Sequence, residues 1–539
     1  MVFKSILPDV ELFNKNLSLT IVEKCKEHGD RIAMVDCNHK AGDAFSELSY
    51  SQIAEFIIRV GNNLVEDFNF EKGQVMAMLM PNLPLFPVFF HGVGYIGGIV
   101  TPLNPLYSEE EINSQLVDSK AISIITVGPF LEKVLKSIEG TSVKTVLVLG
   151  MSPEMQKSTL VQNAALLLKE PKSMQIIQRE INAKEDLIVL PYSSGTTGLC
   201  KGVMLTHYNL LSNVLQIGVE FEKLTPNDVI VAILPFFHIY GLTVLCNKSL
   251  FEGAKAITMA RFELETFLRI IQDYRVTRTH LAPPIILALA KHPLVEKYDL
   301  SSMKYILSGA APLAADVAQL VAQRLKVTVK QGYGLTESSP VLSVCGDVPE
   351  KIKPGSAGLL LSNTLLKVVD TETGEEITEF GKSGELCFAG PQIMKGYLNN
   401  EEATKNTIID GYLHTGDIGH IDQDGFIFIV DRLKELIKYN GYQVPPAELE
   451  GILLKHHKVH DAAVIGVPDD EAGELPKAFI VLKPNETMTG EEVMEYVAQH
   501  VSAQRKVRLV EFVSEIPKSA SGKILRRVLK QKELEKLKK

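Results

Sequence analysis

Residues 187–217 read LIVLPYSSGTTGLCKGVMLTHYNLLSNVLQI, and their order decides the architecture. The run LIVL (187–190) is short, unbroken and apolar, the pattern of a buried strand. A loop of glycines, serines and threonines (192–202) follows it directly. Leu210, Leu211, Val214 and Leu215 then recur at helical spacing, with Thr206 as a plausible N-cap. Further apolar runs of strand type follow: VIVAIL (229–234), KYILSGA (304–310) and VTVKQGYG (327–334), the last two ending in small-residue loops. This repetition predicts an α/β fold with helices over the sheet faces. Ligands in such sheets sit beyond the carboxyl ends of strands, where these loops fall.

The loop itself is Tyr192-Ser193-Ser194-Gly195-Thr196-Thr197-Gly198-Leu199-Cys200-Lys201-Gly202. Small residues let backbone N–H groups approach an anion, hydroxyls add donors, and Lys201 adds a positive charge. That is the chemistry of a triphosphate grip. It is not a Walker A loop, because Gly202 follows the lysine where Ser or Thr should stand.

The chain has 539 residues, 45% apolar types, no Trp and a formal net charge of −9. That is ample for a large core and excludes disordered, collagen-like and disulfide-stapled classes. The acidic balance argues against a nucleic-acid partner, which would need a basic stripe. Six cysteines, with no C-x-x-C pair, read as free thiols in a reducing compartment. The N-terminus has no unbroken apolar core of a secretory signal. The uncharged stretch 84–103 is long enough to span a membrane. Its two early prolines, His91 and four glycines instead predict a buried helix with a close-packed small face. No transmembrane segment is expected, though peripheral membrane contact stays open.

After about residue 360 the character changes. Phe426, Phe428 and Val430 alternate as in a half-buried antiparallel strand. DRLKELIKYNGYQV (431–444) is dense in charge. Beyond it lie AAVIGV (462–467), KAFIVL (477–482), a helix using Val493, Val497 and Val501, and a last helix with Leu525, Val528 and Leu529. The boundary is placed at 433/434, giving domains 1–433 and 434–539.

YSSGTTGLCKGVMLTH resembles the signature of the adenylate-forming superfamily. Further matches follow in order: PFFHIYG (235–241), SGAAPL (308–313), QGYGLTE (331–337), GYLHTGD (411–417), VDRLKELIKYNGYQV (430–444) and PKSASGKILRR (517–527). The chain looks most like 4-coumarate–CoA ligases and luciferase-like fatty acyl-CoA synthetases. The resemblance implies a multi-lobed N-terminal domain, two αβ-layered sheets plus a distorted β-barrel, and a small mobile α+β C-terminal domain. It implies ATP, Mg²⁺ and CoA, and a two-step acid–thiol ligation. A carboxylate attacks the α-phosphate of ATP to give an acyl-adenylate and pyrophosphate. The CoA thiol then displaces AMP.

By the same resemblance, Ser193, Ser194, Gly195, Thr196, Thr197, Gly198 and Lys201 hold the phosphates. Gly309, Ala310 and Ala311 wall the adenine and acyl pockets. In Gln331-Gly332-Tyr333-Gly334, Tyr333 stacks on adenine; Thr336 donates to the α-phosphate and Glu337 holds Mg²⁺. Asp417 and Arg432 take the ribose. Lys523 reaches the α-phosphate and the carboxylate. Lys434 is the hinge, Lys438 and Gly441 belong to the CoA face with Arg261, and His238 sits where carboxylate and thiol meet. Tyr240, Val244, Gly309, Gly332, Pro340 and Val341 line the acyl pocket, which suits an aryl-propenoate or a medium to long aliphatic chain.

Two departures stand out. Cys200 takes a position that is usually Pro, which suggests a sensitive thiol, and Asn440 replaces a common Lys. The luciferase reading, a light-producing monooxygenase, is disfavoured because its His-His-Gly-Phe-Gly run is absent. A non-catalytic acyl-AMP or lipid-binding paralogue is disfavoured by intact Thr336, Glu337, Asp417 and Lys523. The protein is expected in the cytoplasm, with a peroxisomal place left open although no S-K-L type of address is present, and as a monomer or weak homo-oligomer.

Overall fold

The computed structural model describes residues 2–537 apart from 39, 41–44, 157, 175–178, 194–199, 220–222, 310–312, 314, 350–351, 441, 470 and 519–521. Four sheets organise them. The first carries parallel strands Val75–Leu79, Ile99–Pro102, Ser123–Val127, Thr145–Leu149 and Val161–Asn163. Leu187–Val189 joins it in parallel, and Lys201–Thr206 returns antiparallel beside it. In the second, Ile32–Asp36, Lys255–Thr258, Val229–Ala232, Arg278–Leu281, Tyr305–Ser308 and Thr328–Gly334 lie side by side and parallel. Helices cover these sheets, as the alternating pattern requires.

The third sheet is an antiparallel half-barrel that includes Gly384–Ala389, Tyr412–Ile421 and Ile427–Arg432. The fourth holds Ile437–Tyr439, Tyr442–Val444, Val459–Asp469, Gly473–Leu482 and Leu509–Phe512. It encloses its own core of Ile437, Leu449, Val464, Ile480, Val493 and Val497.

The opening motif folds as its residues dictate. Leu187–Val189 is a strand, and His207–Ile217 is a helix whose N-cap is Thr206 in a reciprocal capping box with Asn209. The stretch 84–103 is a helix only over Phe86–Tyr95, followed by the strand Ile99–Pro102. Every residue of that helix is buried. A Cβ at Gly92 would lie 2.3 Å from Val60 Cγ1, so only glycine allows this approach to Tyr50–Phe68. Among the described residues no helix is long and apolar enough to cross a membrane.

Three expectations need correction. The strand Ile427–Arg432 is antiparallel as expected, but its inward phase is Ile427 and Ile429, not Phe426, Phe428 and Val430. Pairing Ile421 with Ile427 sets this register, and Phe428 stacks on His420, 5.0 Å between ring centres. The helix Gly490–Ala498 stops before Val501. Leu525 is exposed and precedes the last helix, Arg526–Leu537, which is anchored by Leu529.

Two histidines are sealed in the core. His91 donates from Nε2 to Asn247 Oδ1 and accepts the Ser18 hydroxyl at Nδ1, both at 3.1 Å. His207 Nδ1 accepts the Leu17 amide. Burial drives both rings down to about 3, so they are neutral at pH 7. The unfolded chain takes up their protons below about pH 6.5, so stability falls as pH falls. At pH 5 each should cost about 2 kcal/mol. The share of stability that depends on these two rings should therefore fall between pH 7 and 5, so joint His91→Gln and His207→Gln substitution should shift the slope of urea midpoint against pH in the opposite sense, towards relatively greater stability at pH 5. An unchanged slope would contradict the assignment.

Candidate active site

Three of the residues singled out in the sequence, Tyr333, Asp417 and Arg432, come together where the second and third sheets meet. Asp417 is 4% exposed. Its Oδ2 accepts the Tyr333 hydroxyl at 2.6 Å, and its Oδ1 lies 3.2 Å from Arg432 Nε. Asp417 and Arg432 are direct cross-strand partners, so the sheet register makes this pair. Burial pushes the Asp417 carboxyl up; Arg432, the Tyr333 phenol and Lys523 pull it back. Thr415 donates to Leu386 O and accepts the Asp417 amide, within the strand Tyr412–Ile421. The Tyr333 ring leans on Phe388 at 6.0 Å.

Glu337 stands in the turn Thr336–Ser338. Its Oε1 accepts hydroxyls from Ser193 and Tyr397, each at 2.9 Å. Among the described residues its Oε2 has no hydrogen-bond partner. Lys201 Nζ lies 4.8 Å from the centre of the Tyr397 ring. Gln331 Oε1 accepts the Leu313 amide. Gly332 and Gly334 pair across to Val344 and Val341. Ser194, Gly195, Thr196, Thr197, Gly198, Ala310, Ala311 and Gly441 lie outside the described residues.

Lys523 reaches this place from near the chain's end. Leu525 N bonds to Pro517 O, closing a small loop, and a Cβ on Gly522 would lie 3.3 Å from Ala282 Cβ. The ammonium is close enough to feel Arg432, Asp417, Glu337 and Glu435. Burial first, then Arg432, lowers its pKa; the three carboxylates oppose this. A cation held so, beside a guanidinium, is a site that favours an arriving anion.

His238 accepts the Tyr240 amide at Nδ1, so the proton of the neutral ring sits on Nε2. Burial, then Lys523, brings its pKa down to about 4. Tyr240, Val244 and Val341 share one cluster with Leu307 and Val344. A Cβ at Gly309 would lie 2.5 Å from Tyr240 Cε1, so this glycine leaves room for the phenol ring. The Tyr240 hydroxyl lies 3.0 Å from His280 Nδ1, a partner that sequence did not indicate. Pro340 is buried beside Val341.

Other expected residues stay apart. Lys434 and Lys438 are exposed, and Arg261 is exposed before the helix Leu264–Tyr274. Arg261 makes no hydrogen bond or ion pair to a described residue. Cys200 is exposed, yet burial of its thiol raises its pKa, away from the reactive thiolate. Glu385, Cys387 and His414 bring possible metal-ligand atoms within 4.8 Å of one another. They satisfy one another instead: His414 bonds Glu385 at 2.9 Å, Glu385 also accepts the Gly416 amide, and Lys367 stands opposite Cys387.

The AMP-binding enzyme family model matches residues 21–398, and the AMP-binding enzyme C-terminal domain matches 448–523. The chain belongs to the AMP-binding enzyme family. This AMP-binding enzyme is 39% identical over 549 residues to a probable 4-coumarate–CoA ligase 1 of Dictyostelium discoideum, covering 98% of this chain and 97% of that protein. It superposes on ATP-bound MatB from Rhodopseudomonas palustris with a TM-score of 0.85 at 28% identity, covering 96% of this chain and 99% of that one. The anthranilate CoA ligase AuaEII, in complex with anthranoyl-AMP, gives 0.86 at 25% identity, over 97% and 98% of the two chains.

In this AMP-binding enzyme a buried charge network stands behind the Lys523 loop. Arg526 bonds Glu435 at 2.6 Å and Glu450 at 2.7 Å. Glu450 also accepts the Val464 amide, and Asp431 accepts those of Arg432 and Ala447. Burial raises Glu450 to about 7 and Asp431 to about 6. Sequence reading missed these residues, since nothing marks a pair 76 residues apart. Arg526→Gln should destabilise the C-terminal portion by about 3–5 kcal/mol. The loss should be larger at pH 8 than at pH 5, because at low pH the unpaired carboxyls can protonate. Thermal melts of variant and unaltered chain at both pH values check this; equal losses would contradict it.

Proposed function

We propose that this protein is an AMP-forming acid–thiol ligase acting on an aryl-propenoate-type carboxylate. The carrying observation is the arrival of Lys523 among Asp417, Arg432, Glu337 and His238. A carboxylate is a poor acyl donor because its leaving group would be oxide. Adenylation turns it into a mixed anhydride: a carboxylate oxygen bonds to the α-phosphorus as the bond to pyrophosphate breaks. The task is to bring two anions together and stabilise charge on five-coordinate phosphorus.

Each residue then has a physical role. Asp417 takes the ribose hydroxyls, with Arg432 adding a donor and Tyr333 stacking on adenine. The ammonium of Lys523 pulls the α-phosphate and the substrate carboxylate together. Thr336 donates to the α-phosphate, and Lys201 and Ser193 serve the outer phosphates. His238 is neutral, so it offers an N–H to the carboxylate without repelling Lys523. The residues present fit Mg²⁺, since Glu337 keeps one hard oxygen without a described partner and Thr336 adds a hydroxyl. When bound, the ion would neutralise phosphate charge.

For the second step, the C-terminal portion is proposed to turn near Lys434, withdrawing Lys523 and bringing Lys438 to the thiol. The thiol then attacks the acyl carbon, loses its proton and releases AMP. Lys434 itself is exposed at this crossing, and rotation there would break the Asp431–Ala447 hydrogen bond. Tyr240, Val244, Gly309, Gly332, Pro340 and Val341 would wall the acyl group. The Tyr240–His280 pair adds one polar contact to this apolar wall, which suits a ring bearing a polar group. Similarity to 4-coumarate–CoA ligases supports the same substrate class.

A pyrophosphate-release panel across aryl and C4–C20 carboxylates tests the reading; a preference for plain aliphatic acids would overturn the substrate class. Lys523→Ala should slow adenylation by at least about 10²–10³-fold. It should largely spare CoA transfer to a supplied acyl-adenylate. Equal loss of both steps would refute the two-face assignment.

A further inference from the structure

The adenylation reading leaves one well-placed side chain without a role. Tyr397 lies in the two-residue strand Gly396–Tyr397 and is 7% exposed. That strand pairs with Lys201–Thr206, the strand that leaves the phosphate loop: Tyr397 opposes Val203 and Gly396 opposes Met204. Leu398 N to Gly202 O at 2.8 Å and Lys395 N to Met204 O at 3.0 Å continue the ladder on either side. The Tyr397 amide is held in turn by Thr404 Oγ1 at 2.9 Å. Its backbone is therefore tied down at every point next to the ring.

The side chain touches two proposed ATP-site groups at once. Its hydroxyl donates to Glu337 Oε1 at 2.9 Å, and its ring lies 4.8 Å beneath Lys201 Nζ. Ser193 donates to the same Glu337 oxygen, and Met394 N bonds Glu337 O at 2.9 Å. Both described donors thus occupy Oε1 and leave Oε2 for a cation. A carboxylate oriented in advance loses less rotational freedom when it ligates a metal.

We propose that Tyr397 is a positioning residue of the ATP site: its hydroxyl aims Glu337 at the divalent cation of a metal–nucleoside triphosphate, while its ring seats Lys201 for the outer phosphates. The inference rests on the adenylation reading above. It joins two motifs, at 201 and at 337, through a residue that belongs to neither.

The two contacts can be separated by substitution. Tyr397→Phe keeps the ring and removes the donor; Tyr397→Leu removes both. Calorimetric titration with a non-reactive ATP analogue, without carboxylate and over a series of Mg²⁺ concentrations, reads binding with no turnover. Tyr397→Phe should need about 10-fold more Mg²⁺ for half-maximal binding, the usual scale for losing a partner behind a metal ligand. Its affinity without Mg²⁺ should be unchanged. Tyr397→Leu should show the same Mg²⁺ shift and also bind about 3-fold more weakly without Mg²⁺, from the lost cation–π contact. A role in packing alone would predict no Mg²⁺ shift in Tyr397→Phe, and that result overturns the proposal. Analogue binding by the unaltered chain with an unshifted Tyr397→Phe sinks this inference alone. Failure of the unaltered chain to bind the analogue at any Mg²⁺ concentration overturns the adenylation reading and this inference with it.

Discussion

Asp417 places a carboxylate, 4% exposed, between the guanidinium of Arg432 and the phenol of Tyr333. An unpaired charge at that depth would be strongly destabilising, so the three groups have to stay together. They come from three strands. Holding them in contact fixes the antiparallel register of Tyr412–Ile421 against Ile427–Arg432. It also fixes the half-barrel against the end of Thr328–Gly334 in the second sheet. The positions of Glu337, Tyr397 and the Lys523 loop all refer to that junction.

The formal charge of −9 does not prevent an ATP-binding role, because the local balance differs from the whole. Lys201, Arg432 and Lys523 gather at one place, and the nearby carboxylates are each committed. Asp417 is paired, and Glu337 is held through one oxygen by two hydroxyls. Glu435 is tied to Arg526. Burial first, and then the Arg432 guanidinium, hold the pKa of Lys523 below its ordinary value, against the pull of Asp417, Glu337 and Glu435.

Much of the fold was legible. Apolar runs ending in small-residue loops marked Leu187–Val189, Tyr305–Ser308 and Thr328–Gly334. Thr206 announced its helix through a capping box. Errors arose where tertiary contact overrides local pattern. Phe428 looked like an inward residue, yet it stacks on His420 at the surface-facing side while Ile427 fills the core. Alternation reports that a strand has two faces, and only pairing with a neighbour decides which is inside.

Sequence by itself, through motifs that resemble the adenylate-forming superfamily, singled out the candidate groups: the 192–202 loop, Tyr333, Thr336, Glu337, Asp417, Arg432 and Lys523. It could not show which of them touch, or what holds them. Tyr397 was passed over because a lone Tyr after Gly carries no local signal. His280 was passed over as one of three polar residues in the strand Arg278–Leu281. Their importance comes from neighbours more than 35 residues away, Glu337 for Tyr397 and Tyr240 for His280. Hydrogen bonds between distant segments follow from sheet order and register, and these are properties of the folded chain rather than of any window along it.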